Sequence, residues 1–376
     1  RLNASLRPLG AGRGDWVSRV TAAPLAGGVR YNGPAETLWS FVGQPDQSLS
    51  GPVAVGADFS GRLDQPQLTG IIRGQGVSYE NQTYGTRLTQ MTLTGRFAGE
   101  RLQIQTFTAR AGAGTVAGQG QVSLSAADGY PLDLSFRLDN AALARSDALS
   151  SSATGQLRLQ KTSADLALLS GELTLPETRF ELVRQGAAEV PELTGVRFKP
   201  PRGRVRITGN EPAPPRGALF GGVRLDIALR APNRLFVTGM GLDSEWNADL
   251  RVTGTSASPR VAGDINLVRG NLGFAGRQFD LQDGRLLFTG GALNDPQIVM
   301  NASEDIDDIA VSIAVRGRAL NPQIAFTSNP SLPADEILSR ILFGNSVGQL
   351  SPLQAVQLAA SLNSLRATGG GLNPLG

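Results

Sequence analysis

The feature that most constrains this chain is a strict alternation of apolar and polar residues that recurs from one end to the other. Leu132, Leu134, Phe136 and Leu138 alternate with Asp133, Ser135, Arg137 and Asp139. Val223, Leu225, Ile227 and Leu229 alternate in the same way with Arg224, Asp226, Ala228 and Arg230. A period of two sends successive side chains to opposite faces of a strand, one dry and one wet. Shorter runs of the same kind include Leu102 and Ile104, Val122 and Leu124, Leu157 and Leu159, Leu173 and Leu175, and Val205 and Ile207. Together they give about twenty candidate strands at the spacing of antiparallel meanders, with no βαβ rhythm. The expected fold is all-β, an elongated antiparallel sheet. Composition agrees, because 47 Gly and 22 Pro in 376 residues disfavour helix interiors, and 6% aromatic residues leave little bulk to fill a round core.

A second pattern lies on top of the alternation. Gly61, Gly254, Gly291 and Gly317 are each followed five positions later by Pro66, Pro259, Pro296 and Pro322, then by Gln or Arg and an aliphatic residue. In three copies the residues before the glycine keep one phase: Val55, Ala57 and Phe59; Ala248, Leu250 and Val252; Val311, Ile313 and Val315. The physical reading is a strand ending at Gly, a turn, and Pro opening the return strand, where its missing N–H costs no ladder bond. The copy at Gly291 is weaker, since Leu286 and Phe288 fall in the opposite phase.

The run from Glu211 to Gly217 cannot sit inside a sheet and is expected to be an exposed loop dividing a segment 1–210 from a segment 218–330. From Leu332 the code changes. Pro333, Asp335 and Glu336 signal a helix start before Ile337, Leu338, Ile341 and Leu342, and Gly344 stops it. Ser351, Pro352 and Gln354 open a second helix with a capping box ahead of Leu353, Val356, Ala359, Ala360 and Leu362. A helical element is therefore expected over 331–367, with a flexible tail at 368–376. Neither helix carries a basic polar face of the kind that lies on membranes, so docking on the last strands or on a partner protein is expected.

The same residues remove several function classes. The chain has no His and no Cys, so Ser-His-Asp and Cys-His triads, thiolate or imidazole metal sites and disulfides are absent. Glycines from Gly112 to Gly120 miss the phosphate-loop spacing and continue a strand parity. Glu304, Asp305, Asp307 and Asp308 read as a solvated turn before a strand from Ile309, without the Gly and Glu placement of a calcium loop. Arg197, Lys199, Arg202, Arg204 and Arg206 fall at mostly even offsets and read as a solvated strand face, with lipid-headgroup contact the sharper alternative. A net charge of +3 does not call for nucleic acid. No enzyme activity, cofactor or metal is expected. A β-solenoid lyase is disfavoured because the Gly-x4-Pro units are irregularly spaced and bring no stacked carboxylates. The chain opens on Arg1 with no leader and no apolar run long enough to span a bilayer, and is expected to be a segment of a longer protein.

Several words in the C-terminal third carry a family resemblance. Asn-Ala-Asp-Leu-Arg-Val-Thr-Gly-Thr from Asn247, Ser-Pro-Arg-Val-Ala-Gly-Asp to Asp264, Leu267 to Gly270, Phe279 to Leu281 and Asp295-Pro296 are similar to the TamB C-terminal (DUF490) family. The most specific are Leu332 to Leu338, Leu342-Phe343-Gly344 and Leu350 to Ala355. The resemblance implies a sheet folded like a taco around a greasy groove, in a periplasmic, inner-membrane-anchored protein related to AsmA-like bridge-type lipid carriers. It also implies pairing with an outer-membrane TamA-type barrel protein and a role in phospholipid delivery and in assembly of outer-membrane proteins such as autotransporters. An alternative within the same fold is a chaperone-like factor that takes up nascent outer-membrane strands by augmentation, without lipid transport.

The residues support the same mechanics independently. Twenty strands at about 4.8 Å spacing make a sheet roughly 100 Å long, whose apolar face must curl, close or hold something. A buried acyl chain gains about 0.8 kcal/mol per methylene, comparable with what it leaves behind in a bilayer. By strand parity the expected lipid-groove lining is Leu132, Leu134, Phe136, Leu225, Ile227, Leu250, Val252, Ile313 and Val315. The expected partner-docking residues are Ile337, Leu338, Leu342, Phe343, Gly344 and Leu353.

Overall fold

The computed structural model describes residues 2–6, 23–40, 47–62, 66–82, 85–125, 128–146, 148–163, 165–182, 222–291 and 295–367. Among these residues nineteen strands join in one sheet. The first group is β1 (Leu2–Leu6), β2 (Leu25–Pro34), β3 (Gln47–Ser50), β4 (Pro52–Gly61), β5 (Pro66–Asn81) and β6 (Thr86–Gly99). Next come β7 (Arg101–Ala111), β8 (Gly114–Ser123), β9 (Leu132–Arg145), β10 (Leu149–Lys161), β11 (Ala167–Thr174) and β12 (Thr178–Glu181). The last group is β13 (Val223–Gly239), β14 (Leu242–Thr255), β15 (Ser258–Phe274), β16 (Arg277–Thr289), β17 (Gln297–Ile306), β18 (Ile309–Arg318) and β19 (Asn321–Asn329).

Strands pair in chain order, with two positions shared. The short β3 lies beside β4 on β5, and β11 and β12 share the place between β10 and β13. Every pairing is antiparallel except one seam, where β11 and β12 run parallel to β13. A parallel neighbour needs a connection that travels back along the sheet. The intervening residues 183–221 lie outside the described residues, as do the expected Glu211–Gly217 loop, the Arg197–Arg206 stripe and the 368–376 tail. The described strands on both sides of 183–221 belong to the same sheet.

Three of the four Gly-x4-Pro units are hairpins closed by a Gly–Pro pair. Gly61 faces Pro66, Gly254 faces Pro259 and Gly317 faces Pro322 across their strand pairs. Those three glycines have φ of 93°, 87° and 104°, a conformation that L side chains adopt only with strain. The fourth unit spans the connection from β16 to β17, where pairing ends at Leu287 and Gln297 and the glycine does not face the proline. Following strand direction from hairpin to hairpin places all four units on one rim of the sheet.

The sheet bends. Between β5 and β6 the chain approaches β9, skipping two strands: the Thr86 hydroxyl donates to the Leu143 carbonyl, and Gly85 lies against the Arg145 carbonyl. Three packed clusters form on the dry face, around Val53 and Val77, around Leu138 and Leu173, and around Phe279, Val311 and Ile337. All three sit toward the rim opposite the Gly-x4-Pro turns. The wet face is laced by cross-strand pairs such as Arg158–Asp133, Arg251–Asp226 and Arg285–Asp264. Exposed pairs of this kind stabilise by about 0–1 kcal/mol each and mainly fix register.

Among the described residues three α-helices accompany the sheet. The short α1 (Ala35–Trp39) follows Pro34, and its Ala35 N–H donates to the Gly51 carbonyl at 2.7 Å. It shows that helix is not confined to the C-terminal element. α2 (Ala334–Phe343) starts after Pro333 and ends at Gly344 with φ of 70°. α3 (Pro352–Ala367) carries the capping box: Ser351 N–H donates to Gln354 Oε1 at 2.9 Å, and Gln354 N–H to Ser351 Oγ at 3.4 Å.

Candidate functional site

Strand register assembles the dry face into continuous rows. One row runs Ile104, Gly120, Leu134, Leu159, Leu169, Leu225 across six strands. The next runs Phe107, Gly118, Phe136, Leu157, Gly171, Ile227, Val252, Val261. A third, one step nearer the packed rim, contains Val116, Leu138, Gly155, Leu173, Leu229 and Leu250. Leu134, Phe136, Leu225, Ile227, Leu250 and Val252 are therefore row neighbours on one face, and all six are half-buried. Leu132 belongs to the same face and is buried at the rim.

Glycines in these rows hold aromatic rings. A side chain on Gly118 would meet the Phe136 ring at 2.8 Å, and Phe136 packs edge-on against Phe107 with centroids 6.1 Å apart. Trp246 covers Gly284, where an added Cβ would meet its ring at 2.8 Å, and its indole N–H donates to Ser244 Oγ at 2.8 Å. The alternation did not single out Trp246 or Phe107. Their signal is a glycine one or two strands away in the same row, visible only once register is known.

Val315 and Ile313 continue the face through Met300 and Ala302, yet here it is covered. Ile313 is buried in one cluster with Phe279, Val311, Phe326, Ile337, Leu338, Ile341 and Leu358, so α2 and α3 lie on the dry side of the last strands. Of the residues expected to dock a partner, Ile337 and Leu338 are 0% and 1% exposed, and Leu342 and Phe343 pack partly against the same cluster. Gly344 is exposed at the helix end, while Leu353 is 69% and its neighbour Val356 66% exposed. What remains open for contact is the outer side of α3.

Of the acidic residues expected in one turn, only Asp307 and Asp308 lie in it, while Glu304 and Asp305 belong to β17 and pair with Val311 and Ala310. Ile306 and Ile309 pair on either side of the turn, Asp307 takes a φ of 54°, and Asp308 receives Arg340 Nη1 at 2.6 Å. Glu304 instead shares the parity of Ala302 on the dry face, 3.9 Å from Arg277. On the wet face, hydrogen bonds from Arg158 and Arg251 hold the carboxyls of Asp133 and Asp226 below the usual carboxylate range. Among the described residues no group of His, Cys, Asp or Glu could hold a metal ion, and no helix is long and apolar enough to cross a membrane.

A single long sheet with a half-open apolar trough, closed at one end by helices, defines an elongated β-groove protein. The family model for the TamB C-terminal domain matches residues 105–375, and the chain belongs to that family. It is 27% identical over 130 residues to the translocation and assembly module subunit TamB of Haemophilus influenzae, an alignment covering 33% of this chain. The chain spans about 10% of the length of that relative.

Proposed function

We propose that this chain is part of a non-enzymatic, periplasm-spanning component of a translocation and assembly module, and that its trough guides phospholipids toward the outer membrane. The same component supports assembly of outer-membrane proteins, autotransporters among them, and the exposed Leu353 and Val356 face a TamA-type barrel partner. The observation that carries the lipid reading is the row of half-buried Leu134, Leu159, Leu169 and Leu225, apolar surface left partly open across four strands. Apolar surface of this extent is stabilised by an acyl chain laid along it, with the headgroup in water.

Strand parity supplies the test. Photocrosslinking probes at 250 and 252 are expected to label phospholipid, and probes at 251 and 253, on the opposite face, are not. Leu250→Asp and Val252→Asp should block lipid passage, because an ionised carboxylate facing hydrocarbon is costly. The wet-face control is Arg251→Gln, since an Asp there would sit beside Asp226, which Arg251 contacts at 2.8 Å. Equal labelling at 251 and 253 would refute the two-faced groove. Apolar-phase Asp variants that simply unfold would show a closed core.

A second reading, strand augmentation, is favoured by one observation. Among the described residues β19 pairs with β18 alone, so its outer edge carries no strand. Crosslinks from β19 to nascent outer-membrane strands, with no lipid label in the trough, would favour it.

A further inference from the structure

On the wet face the middle strands carry amides where other strands carry ion pairs such as Arg251–Asp226 and Arg285–Asp264. Register sets Gln103 opposite Gln121 and Gln121 opposite Asp133, with Gln160 of β10 next in the same row. One step along the strands, Gln119 stands opposite Ser135. Here β7 bulges: its register shifts against both neighbours, so Gln105 and Thr106 oppose the single Gln119. Bulges re-aim side chains and recur beside active sites. Gln103, Gln105, Gln119, Gln121, Asp133 and Ser135 line one shallow depression of about 420 Å³. The four glutamines are exposed, and among the described residues their side chains make no hydrogen bond. Asp133 is the one ionisable group in the lining, and Arg158 already holds its carboxylate at 2.8 and 2.6 Å.

We propose that this amide-lined depression binds a saccharide chain whose units carry acetamido groups. A primary amide holds donors and an acceptor together, so each glutamine bonds a hydroxyl or meets the N–H and C=O of an acetamide at once. Strands lie about 4.8 Å apart, close to the length of one ring in an extended β-linked saccharide, so successive sugars meet successive strands. The row Gln103, Gln121, Asp133 and Gln160 spans four strands and so matches four sugars. A polyanion would call for cations, and the lining holds none. A peptide would call for an open strand edge, whereas β7, β8 and β9 are each paired on both sides. The depression lies on the face opposite Leu134 and Phe136, so the proposal stands apart from the lipid reading.

The test uses the full chain with tetra-N-acetylchitotetraose and cellotetraose, titrated by saturation-transfer NMR. Wild type is expected to bind the acetylated tetrasaccharide more tightly than cellotetraose. The double variant Gln103→Ala/Gln121→Ala is expected to lose roughly tenfold in affinity, because two hydrogen-bonding amides are removed. Both positions are exposed, so its circular dichroism spectrum should match wild type. Gln278→Ala, which removes an exposed glutamine from β16, should bind like wild type. No binding by wild type, or equal affinity in the double variant, overturns the site. Cellotetraose binding as tightly as the acetylated sugar overturns the acetamido recognition. A neutral Gly-Ser octapeptide that displaces the sugar would make this a peptide surface and sink the saccharide reading.

Discussion

The last four strands and the middle of the sheet share the same alternation and the same residue types, yet one is a filled core and the other an open trough. The largest fully buried side chains, Phe279, Ile306, Val311, Ile337, Leu338 and Ile341, all belong to β16, β17, β18 and α2. In the middle, Leu134, Leu159, Leu169 and Leu225 stay half-buried in an unbroken row. The difference is the cover. α2 and α3 close the dry face at one end, where Leu242, Leu267 and Leu272 of β14 and β15 also join the cluster, whereas the cluster around Leu138 and Leu173 in the middle contains no helix residue. Strand pattern decides which face is dry, and a separate covering segment decides whether that face becomes a core.

Truncation of buried side chains should separate the two regions most strongly. Ile337→Ala removes a fully buried side chain from a packed cluster and is expected to cost about 2–5 kcal/mol. Leu225→Ala starts from a half-buried position and should cost roughly half as much, because less surface returns to water. Urea unfolding of both variants measures the gap. Equal losses would mean that the trough is as closed as the helix-covered end.

A smaller contrast comes from adding atoms. A Cβ added at Gly284 would lie 2.8 Å from the ring of Trp246, which is 2% exposed and anchored through its indole N–H. Gly284→Ala must displace a ring that has nowhere to go, at about 1–3 kcal/mol. A Cβ added at Gly118 would be equally close to Phe136, but that ring is only half-buried and can swing outward. Gly118→Ala should therefore cost less than about 1 kcal/mol. Shifts in urea midpoint rank the two, and a reversed order would place the rigid packing in the middle of the sheet.

Much of this was legible because local rules suffice for it. The parity of Leu134 with Phe136, the Gly254–Pro259 hairpin, the Ser351–Gln354 capping box and the stop at Gly344 each depend on residues a few positions apart. The rest needed distant partners. The parallel seam pairs β11 and β12 with β13, strands separated in sequence by residues 183–221, and no local spacing encodes such a pairing. β13 runs through Pro232, normally a breaker, because a register shift between Ala231 and Leu235 removes the need for its N–H. α1 is five residues long, too short for a helical period to show. The apolar residues of α2 and α3 announced a dry side without saying what covers it, so Ile337 and Leu353 looked alike although one is buried under the sheet and the other exposed.

The finest test of the comparison is acid. Glu336 Oε2 accepts the Val347 N–H at 2.9 Å, and Oε1 accepts Arg340 Nε at 3.0 Å, while Arg340 also reaches Asp308 on the β17–β18 turn. The backbone hydrogen bond from Val347, then the Arg340 guanidinium, holds the Glu336 carboxyl below its ordinary 4.5. A depressed carboxylate stabilises the fold fully above its unfolded value, and that contribution disappears as pH falls through the folded value. Acidification below about pH 4.5 should therefore loosen the helical cover first, seen as loss of the helical circular dichroism signal before the sheet signal. Asp133 and Asp226 in the middle are depressed in the same direction, but their Arg pairs are exposed and screened by salt, so added salt should weaken their small effect and spare that of Glu336. Glu336→Gln keeps an acceptor for Val347 and loses the titration, so it should flatten the acid loss of helix. An unchanged acid profile in that variant would place the sensitive contact elsewhere and leave the cover held by apolar packing alone.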